Sequence, residues 1–522
     1  MAAPAPSVSP SSISPTVKKF ISEPWTIWIE ETLSHLKSRG LLRDLKPLNL
    51  GVEEEDRRER DTSNRGINDE PTTSFESIRA RVDEETYERW LNNASTAGTS
   101  SPSLTTTTDS SREHKPLGKI VTLFSSNDYL GLSANARVRR AFANAALEYG
   151  AGYRASQLIA GYTSYHRALE EKLANLERKS SCVLFPTGFA ANASVLQTLA
   201  ESVFRKIDDR DRWYKRIANV GFSMPPEVEI FSDALNHASI VDGCRLAKAP
   251  VSIFKHLDYD DLEAKLKKSS AKRKIVVTDA VFSIDGDVAD IKRLGDLKKN
   301  YPFLLIVDEA HSTLVYGEFG GGLAEAQDAQ NDVDITIGTL SKAVGAHGGF
   351  VCCSEDMKSI LLSRARGQIY STSLPVPIVA AAIEALDVAL ERPDLANTLW
   401  RNVHYFHNNV LRSRKENNSN AVMVKKNKNA SECAKSTFDI RDSHIVPIYC
   451  GDEETALRVA KHLLLRGFHA PAIRPPTVPK NECVIRLAIN AMHTTKDLDD
   501  LGNALNEAFS FLSRKSLLAS RL

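Results

Sequence analysis

The chain has 522 residues, 42% hydrophobic and 25% charged, which is long enough for two or three globular domains with a large core. Its 67 Lys and Arg residues nearly balance 66 Asp and Glu residues, which excludes the basic excess of a dedicated nucleic-acid-binding protein. Seven cysteines without a CxxC pair indicate reduced thiols in an intracellular compartment, with neither a zinc site nor a disulfide framework. No run approaches the roughly 20 apolar residues of a membrane-spanning helix.

The first 115 residues are predicted to be an extension of the catalytic body. Apolar residues at helical spacing from Trp25 to Leu36 predict an amphipathic helix that packs on a core. Polar stretches at 53–65 and 92–115 predict disordered linkers, and a similar insert covers 415–436. The first 20 residues lack the apolar segment of a secretory signal.

The last three residues, Ser520-Arg521-Leu522, differ from the peroxisomal signal S-K-L only by a Lys-to-Arg change that keeps the charge. We therefore expect a short tail from 516 to 522 that directs the protein to the peroxisome. The cytosol is the alternative location.

The middle of the chain alternates β-branched runs with charged helical patterns. Lys274–Thr278 and Phe303–Val307 predict strands, and the pattern from Ile291 to Asn300 predicts the helix between them. Such βαβ units predict an α/β fold with a mostly parallel central sheet in a large domain, assigned to 116–375. A smaller C-terminal α+β domain is assigned to 376–515, with helical patterns near 376–411 and 453–466 and a strand-like run at Val484–Ile489.

Polar clusters follow several predicted strands. They are Asp233 to His237, Asp279 to Ser283, Asp308 to His311, and Thr339 to Lys342. Ligands bind beyond the carboxyl ends of strands in open α/β sheets, so these clusters are expected to meet in one crevice.

The clusters contain the residue types that pyridoxal phosphate requires. Lys342, among small residues in Thr339–Gly349, can form the Schiff base, and a partly desolvated lysine has a lowered pKa that makes it a nucleophile. Asp308 can keep the pyridine nitrogen protonated, so that the ring accepts electrons. His311 and His237 can contact the ring, although either alone is more often structural.

A phosphate anchor is predicted at Thr187–Asn192. This segment opens a helical pattern, and a helix N-terminus offers free amides to an anion. A rival interpretation is that Asp308-Glu309-Ala310-His311 is the Walker B element of a DEAH-type nucleotide hydrolase. That class needs an upstream GxxxxGK[ST] loop, which the sequence lacks.

Together these motifs resemble the α-oxoamine synthases, pyridoxal phosphate enzymes of fold type I that condense an amino acid with an acyl-CoA and release carbon dioxide. The resemblance runs from about Phe124 to Leu512 in the family's order, through Ser126–Ser133, Pro186–Asn192, Asp279–Asp287 and Thr339–Lys342. Ile473–Pro479 and Phe231–Ser239 are most similar to the plant-type branch that makes 8-amino-7-oxononanoate for biotin ring assembly.

The resemblance implies a role for each matched residue. Lys342 carries the cofactor, Asp308 pairs with the pyridine nitrogen, His311 with the phenolic oxygen, and His237 stacks on the ring. Other cofactor contacts are Gly188, Phe189, Ser283 and Thr339, with Ser371 or Thr372 reaching the phosphate of the neighbouring subunit in a homodimer.

Substrate contacts are also implied. Arg474 grips the carboxylate of the amino acid and Asn127 touches the substrate, while Asp279 stands where many bacterial relatives carry glutamate. The segment 150–157 departs from the family, because Tyr153-Arg154 replaces smaller residues and no arginine follows at the usual later position. No substrate contact is assigned to this segment.

The implied reaction joins L-alanine to pimeloyl-CoA, or another pimeloyl thioester, and gives 8-amino-7-oxononanoate, CoA and carbon dioxide. The nearest alternative is a sister synthase that uses glycine or serine with another acyl-CoA. A pyridoxal phosphate aminotransferase or lyase would need no thioester. A non-catalytic partner subunit would lack the Schiff-base lysine, which is present here as Lys342.

Overall fold

The computed structural model describes residues 23–38, 49–50, 78–82, 84–93, 119–152, 155–200, 227–412 and 443–519. The predicted linker 53–65, the insert 415–436, most of the stretch 92–115 and the residues 520–522 lie outside this part of the chain. No helix within the described ranges is both long and apolar enough to cross a bilayer.

The α-helices are α1 (Glu23–Ser38), α2 (Glu84–Asn93), α3 (Ala136–Tyr149), α4 (Ser164–Leu176), α5 (Gly188–Ala200), α6 (Ala238–Ala247), α7 (Tyr259–Lys268), α8 (Ile291–Asn300), α9 (Gly322–Ala326), α10 (Glu355–Arg364), α11 (Arg366–Ile369), α12 (Val376–Glu391), α13 (Asp394–Tyr405), α14 (Glu453–Leu465) and α15 (Thr495–Ala519). The strands are β1 (Asn49–Leu50), β2 (Arg79–Val82), β3 (Lys119–Leu123), β4 (Ser181–Phe185), β5 (Val228–Asp233), β6 (Val251–Phe254), β7 (Arg273–Asp279), β8 (Leu304–Asp308), β9 (Ile335–Thr339), β10 (Gly349–Cys353), β11 (Ile445–Gly451), β12 (Phe468–His469), β13 (Ala472–Ile473) and β14 (Cys483–Ala488). Short turns are the 3-10 segment Leu132–Ala134 and the π-helical segments Gln157–Gly161 and Phe406–Arg412.

A seven-stranded sheet forms the centre of the large domain, in the order β4-β10-β9-β8-β7-β5-β6. Strands β5 to β9 pair in parallel, and β10 is antiparallel to both β4 and β9. The predicted mostly parallel sheet is therefore confirmed, including the strands expected at 274–278 and 303–307.

The central strands are apolar because helices cover both faces of the sheet. In β8, Leu305 and Val307 belong to one hydrophobic core while Ile306 belongs to the other, and all three are fully buried. Side chains alternate between the faces of a strand, so a continuous apolar run fills two cores at once. Polar side chains are therefore found at the carboxyl ends of these strands, where the covered faces end.

The C-terminal part contains the sheet β11-β14-β13. The helical patterns predicted near 376–411 include the two helices α12 and α13, because α12 ends at Glu391 and α13 begins at Asp394 after Pro393. Proline lacks the backbone N–H that a helix interior requires. The predicted helix near 453–466 and the strand near 484–489 are present as α14 and β14.

Part of the predicted extension is folded into the catalytic body. Strand β2 pairs with β3, β3 pairs with β12, and helix α2 covers them. Trp90 and Tyr87 of α2 are buried in a cluster that includes Leu464 of α14. The predicted boundary near 116 thus divides a sheet, because apolar side chains on both sides of it share one core.

The amphipathic helix predicted near the start is present as α1, but its expected core packing is not found. Ile27, Trp28 and Leu33 are each about half exposed, at 49%, 55% and 48%. The helical spacing predicts the secondary structure, whereas the exposure of these side chains does not follow from that spacing.

Candidate active site

The strand ends of the central sheet surround one cleft with an empty space of about 680 Å³, part of it open to solvent. Asp279 and Asp308 end the neighbouring strands β7 and β8 and are direct partners in the sheet register. The lining includes most of the predicted cofactor residues, which are Gly188, Phe189, His237, Ser283, Asp308, His311, Thr339 and Lys342. The predicted convergence of these residues is therefore seen.

Lys342 follows β9 and lines the cleft. Burial lowers the pKa of its amine to about 8, although the Asp308 and Asp279 carboxylates oppose this shift. A substantial fraction of the amine is consequently neutral near physiological pH, as nucleophilic attack on an aldehyde requires.

Asp308 is held by two hydrogen bonds. Its Oδ2 accepts from Asn192 Nδ2 at 2.6 Å, and its Oδ1 accepts from the Ala310 amide at 2.9 Å. The residue is 6% exposed. A carboxylate fixed in this way is suited to pair with a protonated ring nitrogen, because its orientation does not have to change on binding.

His237 is connected to Asp308 through side chains. Asn192 Nδ2 also donates to Ser239 Oγ at 2.9 Å, and Ser239 Oγ lies 2.7 Å from His237 Nδ1. The His237 amide donates to Asp279 Oδ2 at 2.7 Å. Burial and the adjacent Asp308 raise the pKa of the Asp279 carboxyl well above its ordinary value.

His311, three residues after Asp308, belongs to a hydrogen-bond network that includes Tyr129, Asn127 and Arg486. Its Nδ1 is 2.7 Å from the Tyr129 hydroxyl, which donates to Asn127 Oδ1 at 3.1 Å. Arg486 Nη2 donates to the same Asn127 oxygen at 3.2 Å. Burial, followed by the charge of Lys342, lowers the pKa of His311 well below its ordinary value, so its ring is neutral at pH 7.

Helix α5 begins at the cleft with Gly188. Its first amides have no partner within a helix and face an anion favourably. A Cβ added at Gly188 would lie 3.1 Å from Thr339 Cβ, which is a tight contact, so the glycine leaves more room at this end of the cleft. The Asn192 Oδ1 atom on the same helix is buried without a hydrogen-bond partner among the described residues.

Four predicted site residues lie outside the lining of the cleft. One of them, Asn127, is still connected to His311 through the Tyr129 hydroxyl, and the other three are Arg474, Ser371 and Thr372. Arg474 is outside the cleft lining and forms an ion pair with Glu453 at 3.4 Å. Ser371 and Thr372 are also outside the lining of the cleft in their own chain, and Thr372 pairs with Ser156. The roles predicted for these three residues stay predictions.

Several residues near the cleft were missed from the sequence, namely Asn192, Ser239, Tyr129 and Arg486. The sequence contained a local indication that Asn192 faces the cleft, because it lies one helical turn after Gly188 and so shares its face of α5. The sequence also contained an indication for Arg486, since it is the charged residue of the apolar strand β14. A buried charge of that kind needs a partner and often marks a functional site.

The profile of the aminotransferase class I and II family matches residues 119–505. An 8-amino-7-oxononanoate synthase from Arabidopsis thaliana is 39% identical over 498 residues, which are 93% of this chain and 96% of the relative. The chain belongs to the 8-amino-7-oxononanoate synthase family. A putative member of that family from Aquifex aeolicus is 38% identical over 386 residues, covering 74% of this chain and 91% of the relative.

Solved structures agree with this placement. The K265A variant of a serine palmitoyltransferase from S. paucimobilis, with a bound PLP-myriocin aldimine, has a TM-score of 0.65 and 26% identity, covering 76% of this chain and 89% of that chain. The 8-amino-7-oxononanoate synthase of Francisella tularensis has a TM-score of 0.58 and 25% identity, covering 76% and 99%. The resemblance to α-oxoamine synthases and the fold type I architecture are confirmed, and the nucleotide-hydrolase alternative is wrong.

Pyridoxal phosphate is the cofactor of this chain, and the cleft fits it. Lys342 offers an amine for the aldehyde, Asp308 a fixed carboxylate for the ring nitrogen, and the start of α5 an anion site beside Gly188. A positively charged ring nitrogen and a dianionic phosphate thus meet groups of the opposite sign in one cleft.

Proposed function

We propose that this chain joins L-alanine to a pimeloyl thioester, with pimeloyl-CoA as the first candidate, and produces 8-amino-7-oxononanoate, CoA and carbon dioxide. The observation that carries the proposal is the single cleft in which Lys342, Asp308, His237 and the start of α5 meet, in a chain of this family. In the overall reaction the α-carbon of alanine bonds to the thioester carbonyl, the C–S bond breaks, and the original carboxylate leaves as carbon dioxide.

Bound pyridoxal phosphate supplies an electron sink for negative charge at the α-carbon of the amino acid. Lys342 would hold the cofactor covalently and would also supply the amine that takes the proton from that carbon. Its pKa of about 8 suits both tasks, because a base works best when its pKa is near the working pH. Asp308 holds the proton at the ring nitrogen through an orientation fixed by Asn192.

The carboxylate of the amino acid needs a buried cation. Arg486 is 8% exposed, and its Nε donates to the Ser283 carbonyl at 2.5 Å while its Nη2 donates to Asn127. A guanidinium has five N–H donors in a planar fork, more than these two bonds use. We assign carboxylate binding to Arg486 with Asn127, and keep the predicted Arg474 as the alternative.

The decisive experiment supplies the holoenzyme with L-alanine labelled with carbon-13 in its carboxyl group, with and without pimeloyl-CoA. We expect labelled carbon dioxide, free CoA and a product of the mass of 8-amino-7-oxononanoate in equal amounts, only when both substrates are present. Products from alanine alone would indicate a lyase or aminotransferase. Faster turnover with glycine or serine, or with a different acyl-CoA, would indicate a sister synthase.

We further propose that the chain works as a homodimer with shared sites. The segment Gln157–Gly161 lies beside Ser371 and Thr372, since Ser156 pairs with Thr372. Ile159 and Tyr370 on this surface are 82% and 71% exposed, which is unusual for large apolar side chains outside an interface. A monomeric mass in sedimentation equilibrium would contradict this assignment.

The proposed location is the peroxisome, on the basis of the Ser520-Arg521-Leu522 tripeptide. A fluorescent protein carrying this chain at its C-terminus should accumulate in peroxisomes. Removal of the tripeptide should leave the fusion in the cytosol, and an unchanged distribution would contradict the proposal.

A further inference from the structure

His256 lies just after β6, outside the cleft lining, with its ring between two carboxylates. Its Nδ1 is 2.8 Å from Asp233 Oδ1 and its Nε2 is 3.1 Å from Asp287 Oδ2, and only 11% of the side chain is exposed. An imidazole donates from both nitrogens only when it is protonated. The geometry therefore corresponds to a charged ring that joins the segments carrying these carboxylates.

The first carboxylate fixes the end of β5. Asp233 has a fully buried side chain and also accepts hydrogen bonds from the amides of Leu235 and Leu257. The same turn continues to Asn236, whose Oδ1 accepts from the Asp279 amide, and then to His237. His256 is thus anchored to a rigid part of the wall that holds His237.

The second carboxylate belongs to a small hairpin, residues 281–288. Val281 and Val288 form a bridge, and the Phe282 amide donates to the Asp287 carbonyl at 2.9 Å. The Phe282 ring packs edge-on against His256 at 4.4 Å. A Cβ on Gly286, which has a φ of +70°, would lie 2.2 Å from the Ile445 carbonyl, so the tip of the hairpin abuts β11.

The hairpin also reaches the substrate side of the cleft. Ser283 lines the cleft, and its carbonyl accepts from Arg486 Nε. The guanidinium is thus held between the hairpin and Asn127. Any movement of the hairpin would be passed directly to the group assigned to the amino-acid carboxylate.

We propose that His256 is a positioning residue for amino-acid binding, which holds the hairpin 281–288 so that Ser283 directs Arg486 toward Asn127. The inference rests on the proposed function, since it depends on Arg486 as the carboxylate-binding group. It concerns a residue that touches neither cofactor nor substrate. His256 acts through Asp287 and thereby sets the affinity of the enzyme for the amino acid.

The test compares wild-type holoenzyme with His256→Gln and Asp287→Asn. We expect faster hydrogen exchange of the amides in 281–288 and a KM for L-alanine raised about tenfold, because small displacements of a binding group weaken binding steeply. The KM for pimeloyl-CoA and kcat should stay within about twofold of wild type. His462→Gln is the matched control, since His462 also pairs with a carboxylate, Glu507 at 3.3 Å, but at the surface.

Two results would overturn the inference. One is unchanged exchange of the hairpin in both variants, which needs no substrate and so decides the matter whether or not wild type condenses alanine. The other is an alanine KM that does not change, or that changes only together with kcat and the pimeloyl-CoA KM, as a general structural defect would produce. If His256→Gln does not fold, Asp287→Asn alone gives the same comparison.

Discussion

Arg486 and Arg474 differ in their surroundings more than in their sequence context. Arg486 is 8% exposed within β14 and has two partners near the cleft, Ser283 and Asn127. The Arg474 side chain is 30% exposed and faces the exposed Glu453, a pairing that solvent weakens. A desolvated guanidinium gains more from binding an anion than a solvent-screened guanidinium does, so burial favours Arg486 as the carboxylate-binding residue.

Substitution of each arginine by lysine separates the two assignments. Lysine keeps the charge but not the planar two-donor fork, so Arg486→Lys should raise the KM for L-alanine by about tenfold or more. Arg474→Lys should change it by less than about twofold. Steady-state kinetics at saturating pimeloyl-CoA give both values, and the opposite order would restore Arg474 to the role predicted from the sequence.

The site residues that follow a strand could be predicted from the sequence, whereas those that meet only through long-range folding could not. Lys342, Asp308 and His237 each follow a strand with a recognisable apolar pattern, so local sequence placed them at the sheet edge. Arg486 and Asn127 are 359 positions apart, and no local pattern shows that they meet. Their contact depends on how the C-terminal part folds back onto the start of the catalytic body.

At the scale of elements, the cleft depends on strand ends held in fixed relation. His256 joins the end of β5 to the hairpin that follows β7, through Asp233 and Asp287. Burial alone would lower the pKa of His256, but its hydrogen bonds with these carboxylates raise it to about 9. A group whose pKa is raised on folding stabilises the folded protein when it is protonated.

This stabilisation should therefore depend on pH. It is fully present below the ordinary pKa of about 6.5 and is lost as pH rises through about 9. A shift of that size corresponds to at most about 3 to 4 kcal/mol. Compared with wild type, His256→Gln should lower the free energy of unfolding at pH 6 and lose most of that difference by about pH 10. Urea unfolding at a series of pH values measures this, and a difference that does not vary with pH would contradict a charged His256.

The βαβ elements were predictable because their periodicity is local. Strand β8 appears in the sequence as an apolar run, and α8 as a charged helical pattern. The sheet β1-β2-β3-β12 was not predicted, since β3 pairs with segments far away in the chain on both sides. Such pairings depend on which apolar surfaces of the folded chain still need to be covered, as the cluster around Trp90 covers this sheet. Strands this short contain too few residues for a periodic pattern to predict them.

At the scale of the whole molecule, the active site is assembled from segments that span most of the chain. Asn127 comes from the beginning of the catalytic body, Lys342 from its middle and Arg486 from near its end. The family profile covers the same range, from 119 to 505. The covalent attachment of the cofactor at Lys342 is the event on which all the other assignments depend.

That attachment is tested most directly by reduction. The protein is supplied with pyridoxal phosphate, treated with borohydride, digested and analysed by mass spectrometry, with Lys342→Ala as the comparison. We expect absorbance at the edge of the visible range before reduction and a cofactor mass on the peptide that contains Lys342, with both lost in the variant. A colourless protein without the adduct, or an adduct on another lysine in a variant that still turns over, would contradict it.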